Sequence, residues 1–194
     1  LISKPSLSCT VQGKRRIKEK KWGSPVKYAG DCARLFGKQY NVHEGVEHLD
    51  ILGIDVAIDL EGIEKNRPVL LAQIADESNV VLVNFSHKLF RSRVLKFLRN
   101  RRTVIVFDAS ADVKFLGNIN YVDIQKKLWN RRGPKKSLKT LAAETFHVEK
   151  QKHFLPTFYK YESWRLKSID RVHKSYAVAD AIYTFQLWYK NKRK

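Results

Sequence analysis

Apolar runs and polar breaks divide the chain after residue 50 into short strands and helices. The apolar, β-branched run Ile51–Asp59 predicts a strand that is covered on both faces. Val69–Ala75 and Val80–Phe85 predict two further strands, and the turn-forming residues 76–79 between them predict a hairpin. We expect these three strands to form an antiparallel meander.

Beyond residue 86 the apolar positions change to helical spacing and then alternate with short strands. His87–Arg101 carries apolar residues on one side and basic residues on the other, which predicts an amphipathic helix. The later predicted elements are a strand at Thr103–Phe107, a helix at Ala109–Leu116, a strand at Ile119–Asp123, a short helix to Trp129, a helix at Ser137–Phe146 capped by Ser137, and a long helix at Ile169–Tyr189. This order predicts an α/β fold around a mixed five-stranded sheet with helices on both faces.

The first thirty residues show neither helical nor strand periodicity. Their basic run Lys14–Lys21 is compatible with a nuclear-import signal, a phosphate-binding or docking arm, or a solvated tail. We therefore divide the chain into a basic, irregular N-terminal extension, residues 1–30, and a folded domain, residues 31–194. Residues 32–50 have a mixed pattern that predicts a short helix or strand leading into the core.

Charge narrows the range of possible partners more than any other feature of the composition. The 194 residues include 38 Lys and Arg against 19 Asp and Glu, which gives a net charge of +19. A field of this sign attracts polyanions, so nucleic acid is the first partner to expect. The hydrophobic fraction of 43% excludes a globally disordered chain.

Several classes of protein are excluded by what the sequence lacks. Cys9 and Cys32 are too few for a disulfide framework or a thiolate zinc site. No apolar run reaches the roughly 18–20 residues of a membrane span, and the first residues lack the apolar core of a secretory signal. We expect an intracellular protein, in the nucleus or cytoplasm, and the basic run favours the nucleus. Because the chain starts at Leu1 and contains no Met, we expect its natural start to lie upstream.

Acidic residues occur at three separate elements of the predicted fold. Asp59 and Glu61 stand two apart at the end of the first predicted strand and therefore point to the same face. Tyr176 and Asp180 stand four apart on the last helix, again on one face. Asp112 follows the fourth predicted strand. Each acid alone is also typical of a strand end or a solvated helix, but carboxylates that converge can share divalent cations.

In order and spacing, these three motifs resemble the exonuclease motifs of the DEDDy 3′–5′ exonucleases, a family that includes ribonuclease D and the exonuclease domain of the Werner-syndrome helicase. Further similarities are Val122–Ile124, Ser137–Ala142 and the pair Trp164 and Arg165. The resemblance extends from about residue 50 to 190. It implies a ribonuclease H-like (DnaQ-like) fold.

The resemblance also implies roles for the acidic residues and the tyrosine. It makes Asp59, Glu61, Asp112 and Asp180 the ligands of two Mg²⁺ or Mn²⁺ ions, with Tyr176 orienting the attacking water. The chemistry agrees, because two divalent ions offset the charge that develops in phosphodiester hydrolysis and both ions prefer hard oxygen ligands. Four close carboxylates without metal would raise one another's pKa.

Asp108 and Asp55 are two further acids close to the motif residues. Asp108 is an alternative to Asp112, but the apolar run 113–116 that follows Asp112 predicts the helix expected at that place. Asp55 shares the alternation of Asp59 on the first strand but lies four residues before the strand end. We expect Asp55 to be structural.

A basic turn at residues 126–136 is the candidate nucleic-acid interface. Its predicted contacts are Trp129, Arg131, Arg132, Lys135 and Lys136. Cations can hold a phosphate backbone while an indole stacks on a base. The alternative is a solvated loop in which Trp129 faces the core. By the resemblance, Trp164 and Arg165 also line the site.

The sequence therefore predicts a metal-dependent 3′–5′ exonuclease that acts at the 3′ end of single-stranded or frayed RNA or DNA. The alternative is a catalytically weak or inactive module of the same fold that binds RNA or a partner protein. We expect no membrane association and no haem or nucleotide cofactor. No short motif separates RNA from DNA as the substrate.

Overall fold

The computed structural model describes most of the folded region, with gaps: residues 32, 35–62, 69–85, 88–110, 112–129, 133–147, 164 and 171–192. The basic run 14–21, Arg131, Arg132 and Arg165 lie outside the described residues, so the roles predicted for them stay predictions. Among the described helices, none combines the length and the apolarity that crossing a membrane requires.

Within the residues that the structure describes, six strands form one mixed sheet in the order β1-β4-β3-β2-β5-β6. In chain order they are β1 (Asn41–Glu44), β2 (Asp55–Glu61), β3 (Leu71–Ala75), β4 (Asn79–Asn84), β5 (Thr103–Val106) and β6 (Tyr121–Asp123). The expected antiparallel meander of β2, β3 and β4 is confirmed, and β5 and β6 continue the sheet in parallel with β2.

The expected count of five strands is wrong, because β1 adds a sixth strand at the edge. It pairs in parallel with β4, with Asn41 opposite Asn79. This strand is only four residues long and mostly exposed, so its sequence lacks a clear apolar alternation. A parallel partner this far along the chain also leaves no hairpin turn that could indicate the pairing.

The described helices agree with the predicted elements in position but differ in length. They are a 3₁₀ helix (Val46–Ile51), α1 (Lys88–Arg99), α2 (Val113–Leu116), α3 (Ile124–Leu128), α4 (Leu138–Phe146) and α5 (Arg171–Lys192). Ser137 caps α4 as predicted, since its hydroxyl accepts a 3.2 Å hydrogen bond from the Thr140 amide. The helix predicted from Ala109 is shorter, because it begins only after Asp112.

β2 begins at Asp55, four residues later than the apolar run suggests. Side chains satisfy the backbone groups just before it: the Gly53 amide donates to the Asp76 carboxylate at 2.8 Å, and the Arg101 guanidinium donates to the carbonyls of Leu52 and Gly53. Because these groups already have partners, the segment has no need of a strand neighbour.

Helices cover both faces of the sheet, as predicted. Val56, Ile58 and Leu60 point to the side of the 3₁₀ helix and α1, whereas Ala57 packs with residues of α5 such as Phe185. Side chains alternate along a strand, so Asp59 and Glu61 share the face of Ala57. The fold therefore directs both carboxylates of β2 toward α5.

Asp55 is structural, as expected, and its ion pairs make the stability of the fold depend on pH. Its carboxylate pairs with Arg102 and, at 3.2 Å, with Lys192 at the end of α5. The hydrogen bond from Arg102 lowers the pKa of Asp55 to about 2. A lowered folded-state pKa stabilises the protein above the ordinary pKa of an aspartate, and this contribution is lost as the pH falls toward 2.

We therefore expect Asp55→Asn to lower the melting temperature at pH 7 by about 2–3 °C, the scale of a partly exposed ion pair. Thermal unfolding followed by circular dichroism should show the difference from wild type shrinking between pH 4 and pH 2. A difference that stays constant over this range would contradict the assigned ion pairs.

Candidate active site

Three carboxylates meet where β2 ends beneath α5. Asp59 and Glu61 come from β2 and Asp180 from α5, and one ligand oxygen of each lies within 4.8 Å of the others. All three side chains are half-buried. The structure therefore brings together acids that are about 120 residues apart in the sequence, as the motif spacing predicts.

Asp112 supplies a fourth carboxylate from the segment after β5. The residue is only 4% exposed and sits at the N-cap of α2, but its side chain makes no cap hydrogen bond. It is not one of the three carboxylates within 4.8 Å of one another, yet its charge contributes to raising the pKa of Glu61. Asp112 thus lies next to the three-carboxylate group.

Asp108, the alternative to Asp112, is engaged elsewhere. Its carboxylate accepts a 2.8 Å hydrogen bond from the Ser110 hydroxyl, and its backbone adopts a φ of 55°. It acts on Asp112 through its charge, which helps to raise the pKa of Asp112. Of the two acids, Asp112 is the buried one and the one that interacts electrostatically with Asp59 and Glu61.

Asp123 at the end of β6 holds the turn that carries these acids. Its carboxylate accepts hydrogen bonds from the amides of Asp108 and Ala109, at 3.3 and 3.2 Å, and from the Lys126 amide at the start of α3. Asp123 is buried, so removing it would leave these donors unsatisfied. The Asp in the Val122–Ile124 motif is therefore a positioning residue for the Asp112 segment.

Burial and mutual repulsion make the ionised acids unfavourable without a cation. Burial raises the pKa of Asp59 to about 6, while burial together with the charge of Asp59 raises those of Asp112 and Asp180 to about 7 and about 8. The pKa of Glu61 is also raised, first by burial and then by the charges of the other three acids.

Tyr176 lies beside Asp180, one turn earlier on α5. Its hydroxyl donates a hydrogen bond to the Asp180 carboxylate, and burial, followed by the negative charge of Asp180 and Glu61, raises its pKa far above the ordinary value. The phenol therefore keeps its proton at neutral pH. Trp164 packs beside it, with ring centroids 6.5 Å apart.

Gln73 is the site residue that sequence reasoning missed. It lies opposite Asp59 in the β2-β3 pairing, is fully buried, and its amide donates a 2.7 Å hydrogen bond to Asp59 Oδ2. The available signal was a single amide within the apolar strand Leu71–Ala75, placed across from the acid by the register of the meander. Gln73 fixes the orientation of the Asp59 carboxylate.

The predicted nucleic-acid contacts lie in different environments. Trp129 is 37% exposed, so the alternative that it faces the core is wrong. Its indole donates to the Gly133 carbonyl at 2.6 Å, and the Lys135 ammonium lies 5.7 Å from its ring centroid. Lys136 pairs with Glu144 at 2.6 Å. Trp164 is only 3% exposed and supports Tyr176 from within the core, where it has almost no surface to offer a base.

The acid set fits divalent cations. Within the described ranges, no Lys or Arg side chain forms an ion pair with Asp59, Glu61, Asp112 or Asp180. Buried carboxylates ordinarily have a cationic partner or bind a metal. Because every potential ligand atom is a carboxylate oxygen, the site suits hard ions such as Mg²⁺ or Mn²⁺ rather than thiolate-binding metals.

No protein-family model and no curated protein sequence matches the chain. Among solved structures, the Nibbler EXO domain of Aedes aegypti matches with a TM-score of 0.60 at 15% identity, over 79% of this chain and 88% of that one. The catalytic core of RRP6 from Trypanosoma brucei and Escherichia coli RNase D, an exoribonuclease, each match over 79% of this chain with a TM-score of 0.60, at 19% and 17% identity.

The chain spans less than half of those last two structures, 46% and 44% respectively. At these identities the likeness establishes the fold rather than the activity. Together with the sheet order and the helical layers, it shows that the chain has the same ribonuclease H-like fold as these structures.

Proposed function

We propose that the chain is a metal-dependent 3′–5′ exonuclease that hydrolyses phosphodiester bonds of single-stranded or frayed nucleic acid. The observation that carries this proposal is the convergence of Asp59, Glu61 and Asp180 within 4.8 Å, with Asp112 beside them. Three separate segments of the chain supply half-buried or buried acids to one place, and within the described residues none of these acids has a cationic partner. A purely structural cluster of this kind would destabilise the fold.

In this proposal Asp59, Glu61, Asp112 and Asp180 hold two divalent ions, Mg²⁺ or Mn²⁺. When bound, such ions lower the pKa of water and offset negative charge on the scissile phosphate and the departing 3′ oxygen. Gln73 holds Asp59 in its orientation through the hydrogen bond to Oδ2. The carboxylates thus contribute position and charge rather than covalent chemistry.

Tyr176 orients the attacking water in this proposal. Its raised pKa keeps the phenol protonated, so it acts through hydrogen bonds and does not serve as the general base. Trp164, packed against the tyrosine ring, restricts the positions that the phenol can take. The pair Tyr176 and Asp180 therefore sets the place of the nucleophile relative to the carboxylates.

The proposed substrate follows from two further observations. The solved structures that share the fold include an exoribonuclease and an EXO domain, and the net charge of +19 favours a polyanion. Trp129 and Lys135, which are both exposed and lie close to each other, are proposed to contact the strand. RNA and DNA both satisfy these requirements.

Digestion of a 5′-labelled single strand tests the proposal. With Mn²⁺ we expect a ladder of labelled products that shorten from the 3′ end, and EDTA should stop the reaction. A strand whose 3′ end is blocked by an inverted nucleotide serves as the control and should remain intact. Cleavage of the blocked strand would indicate an endonuclease, and no cleavage of either strand, RNA or DNA, would contradict the proposed activity.

A calorimetric titration with Mg²⁺ or Mn²⁺ separates the exonuclease from an inactive binding module. We expect binding at millimolar or lower metal concentration, together with a rise in melting temperature, because the cations relieve the repulsion among the four acids. The absence of metal binding, even with a nucleoside monophosphate present, would favour the module.

A further inference from the structure

The exposed side of α1 concentrates positive charge on the face of the sheet opposite α5. Its twelve residues, Lys88–Arg99, include five cations and no acid. All five are exposed, whereas Val94, Phe97 and Leu98 on the other side of the helix are buried in the core. The cations are Lys88, Arg91, Arg93, Lys96 and Arg99.

These cations differ from several other basic residues on the described surface, which are paired with acids. Lys174 pairs with Glu44, Lys136 with Glu144 and Lys192 with Asp55, and Arg102, just after α1, also pairs with Asp55. Within the part of the chain that the structure describes, none of the five cations of α1 forms an ion pair. Like charges crowded along one helix repel one another, so the arrangement is unfavourable unless a polyanion binds there.

The helix starts at the same edge of the sheet as the candidate active site. β4 is antiparallel to β3, which is antiparallel to β2, so β4 and β2 run in the same direction and end at the same edge. α1 follows β4 and runs back from that edge. The Arg91 guanidinium lies 5.1 Å from the ring centroid of Phe115, in the short helix that begins after Asp112.

Three exposed positions of α1 form a stripe that leads away from this edge. Lys88, Ser92 and Lys96 recur every four residues, so they lie on one side of the helix, each about 6 Å further along its axis. Arg99 continues the stripe by one more turn. The two aromatic residues of α1 are buried or half-buried, so the helix offers cations and a hydroxyl but no exposed ring to stack on bases.

We propose that α1 binds the sugar-phosphate backbone of a single nucleic-acid strand, upstream of the 3′ end held at the acids. The placement of the 3′ end rests on the proposed exonuclease function, whereas the binding surface itself does not. Contacts to phosphates fix the register of a strand but carry no base information. The surface therefore favours long strands over short ones, without preference for sequence.

The test uses the triple variant Lys88→Gln, Lys96→Gln, Arg99→Gln, since glutamine preserves helix propensity. The matched control, Lys38→Gln, Lys174→Gln, Lys190→Gln, removes the same charge from other surfaces. Binding of fluorescein-labelled 20-nucleotide strands, RNA and DNA, is measured by anisotropy in EDTA over a range of salt concentrations. Hydrolysis of thymidine 5′-monophosphate p-nitrophenyl ester in Mn²⁺ reports on the acid site alone.

We expect the α1 variant to bind both 20-nucleotide strands about ten-fold more weakly than wild type. The slope of log K against log salt should become shallower by about 2, which corresponds to three lost phosphate contacts on a single strand. The control should lose much less affinity, and a tetranucleotide should be bound equally by all three proteins. Equal losses in the α1 variant and the control, or an unchanged slope, would overturn the proposal.

The rate of hydrolysis of the p-nitrophenyl ester tests the acid site independently of strand binding at α1. If wild type and the α1 variant hydrolyse it at the same rate, the loss of strand binding is confined to α1. If wild type hydrolyses neither the ester nor a 5′-labelled RNA or DNA strand, but the salt slopes still differ as expected, the exonuclease proposal fails while the binding surface stands.

Discussion

The double variant Asp59→Ala, Glu61→Ala is expected to lose at least about a thousand-fold in the rate of 3′-terminal cleavage, the scale of removing several kcal/mol of charge stabilisation. Both carboxylates come from one strand and belong to the three-carboxylate group, so the variant removes two of its three members. Initial rates on a 5′-labelled strand in Mn²⁺, with fluorescence anisotropy for strand binding, provide the measurement. Binding should be largely retained.

Asp55→Asn provides the matched control for this loss. Asp55 lies on the same strand and the same face as Asp59, but it pairs with Arg102 and Lys192 at the other end of β2. Its substitution is expected to reduce stability and to leave the cleavage rate within about two-fold of wild type. If the double variant cleaves as fast as wild type, or if Asp55→Asn abolishes cleavage, the proposed position of the site is wrong.

The conservative double variant Asp59→Asn, Glu61→Gln tests how the same two acids affect thermal stability. In EDTA at pH 8 it is expected to melt at a higher temperature than wild type, because it removes buried like charges whose pKa values are raised. Saturating Mn²⁺ should reverse the order by stabilising wild type alone. A wild-type protein that is more stable than this variant in EDTA would contradict the electrostatic description of the site.

The acids of the site were predictable because the residue spacing within each motif fixes which side chains share a face. The spacing of two between Asp59 and Glu61 fixes a common face on a strand, and the spacing of four between Tyr176 and Asp180 does so on a helix. The spacing alone does not show whether this face of the strand contacts this face of the helix. The alternation of Val56, Ala57 and Ile58 between the two cores answers this question, because it directs Asp59 toward α5.

The features that the sequence did not reveal depend on register or on distant partners. Gln73 contacts Asp59 only because the β2-β3 register places the two residues opposite each other. β1 exists through a parallel pairing with β4, which produces no local turn signal. The start of β2 at Asp55 depends on side chains of Asp76 and Arg101, which lie far along the chain.

The turn after β5 has one feature that the sequence predicted and one that it did not. The sequence favoured Asp112 over Asp108 as the ligand because an apolar helix was expected after Asp112, and the residues that follow Asp112 do form α2. The extent of the turn was not predictable, since it is held by hydrogen bonds from the amides of Asp108 and Ala109 to Asp123 on the next strand. A helix of four residues results, and the Asp112 carboxylate stays available for the site.

Tyr176→Phe is expected to lower the rate of cleavage by roughly a hundred-fold, the range typical for the loss of one well-placed hydrogen-bonding group in an active site. The substitution keeps the ring that packs on Trp164 and removes only the hydroxyl bonded to Asp180. Metal affinity measured by calorimetry should change little, because the phenol is not one of the acid ligands. Tyr183→Phe, on the same helix, is the matched control and should stay within about two-fold of wild type.

The pH dependence of this variant distinguishes orientation from proton transfer. Burial raises the pKa of Tyr176 well above 10, so the hydroxyl stays protonated across pH 6–9 in wild type. Removing a group that never ionises in this range lowers the pH–rate profile without changing its shape. If instead the variant loses an alkaline or acidic limb that wild type possesses, Tyr176 takes part in proton transfer. If its rate equals that of wild type, the water must be oriented by the carboxylates alone, and the pairing of Tyr176 with Asp180 then serves only to hold α5 against the end of β2.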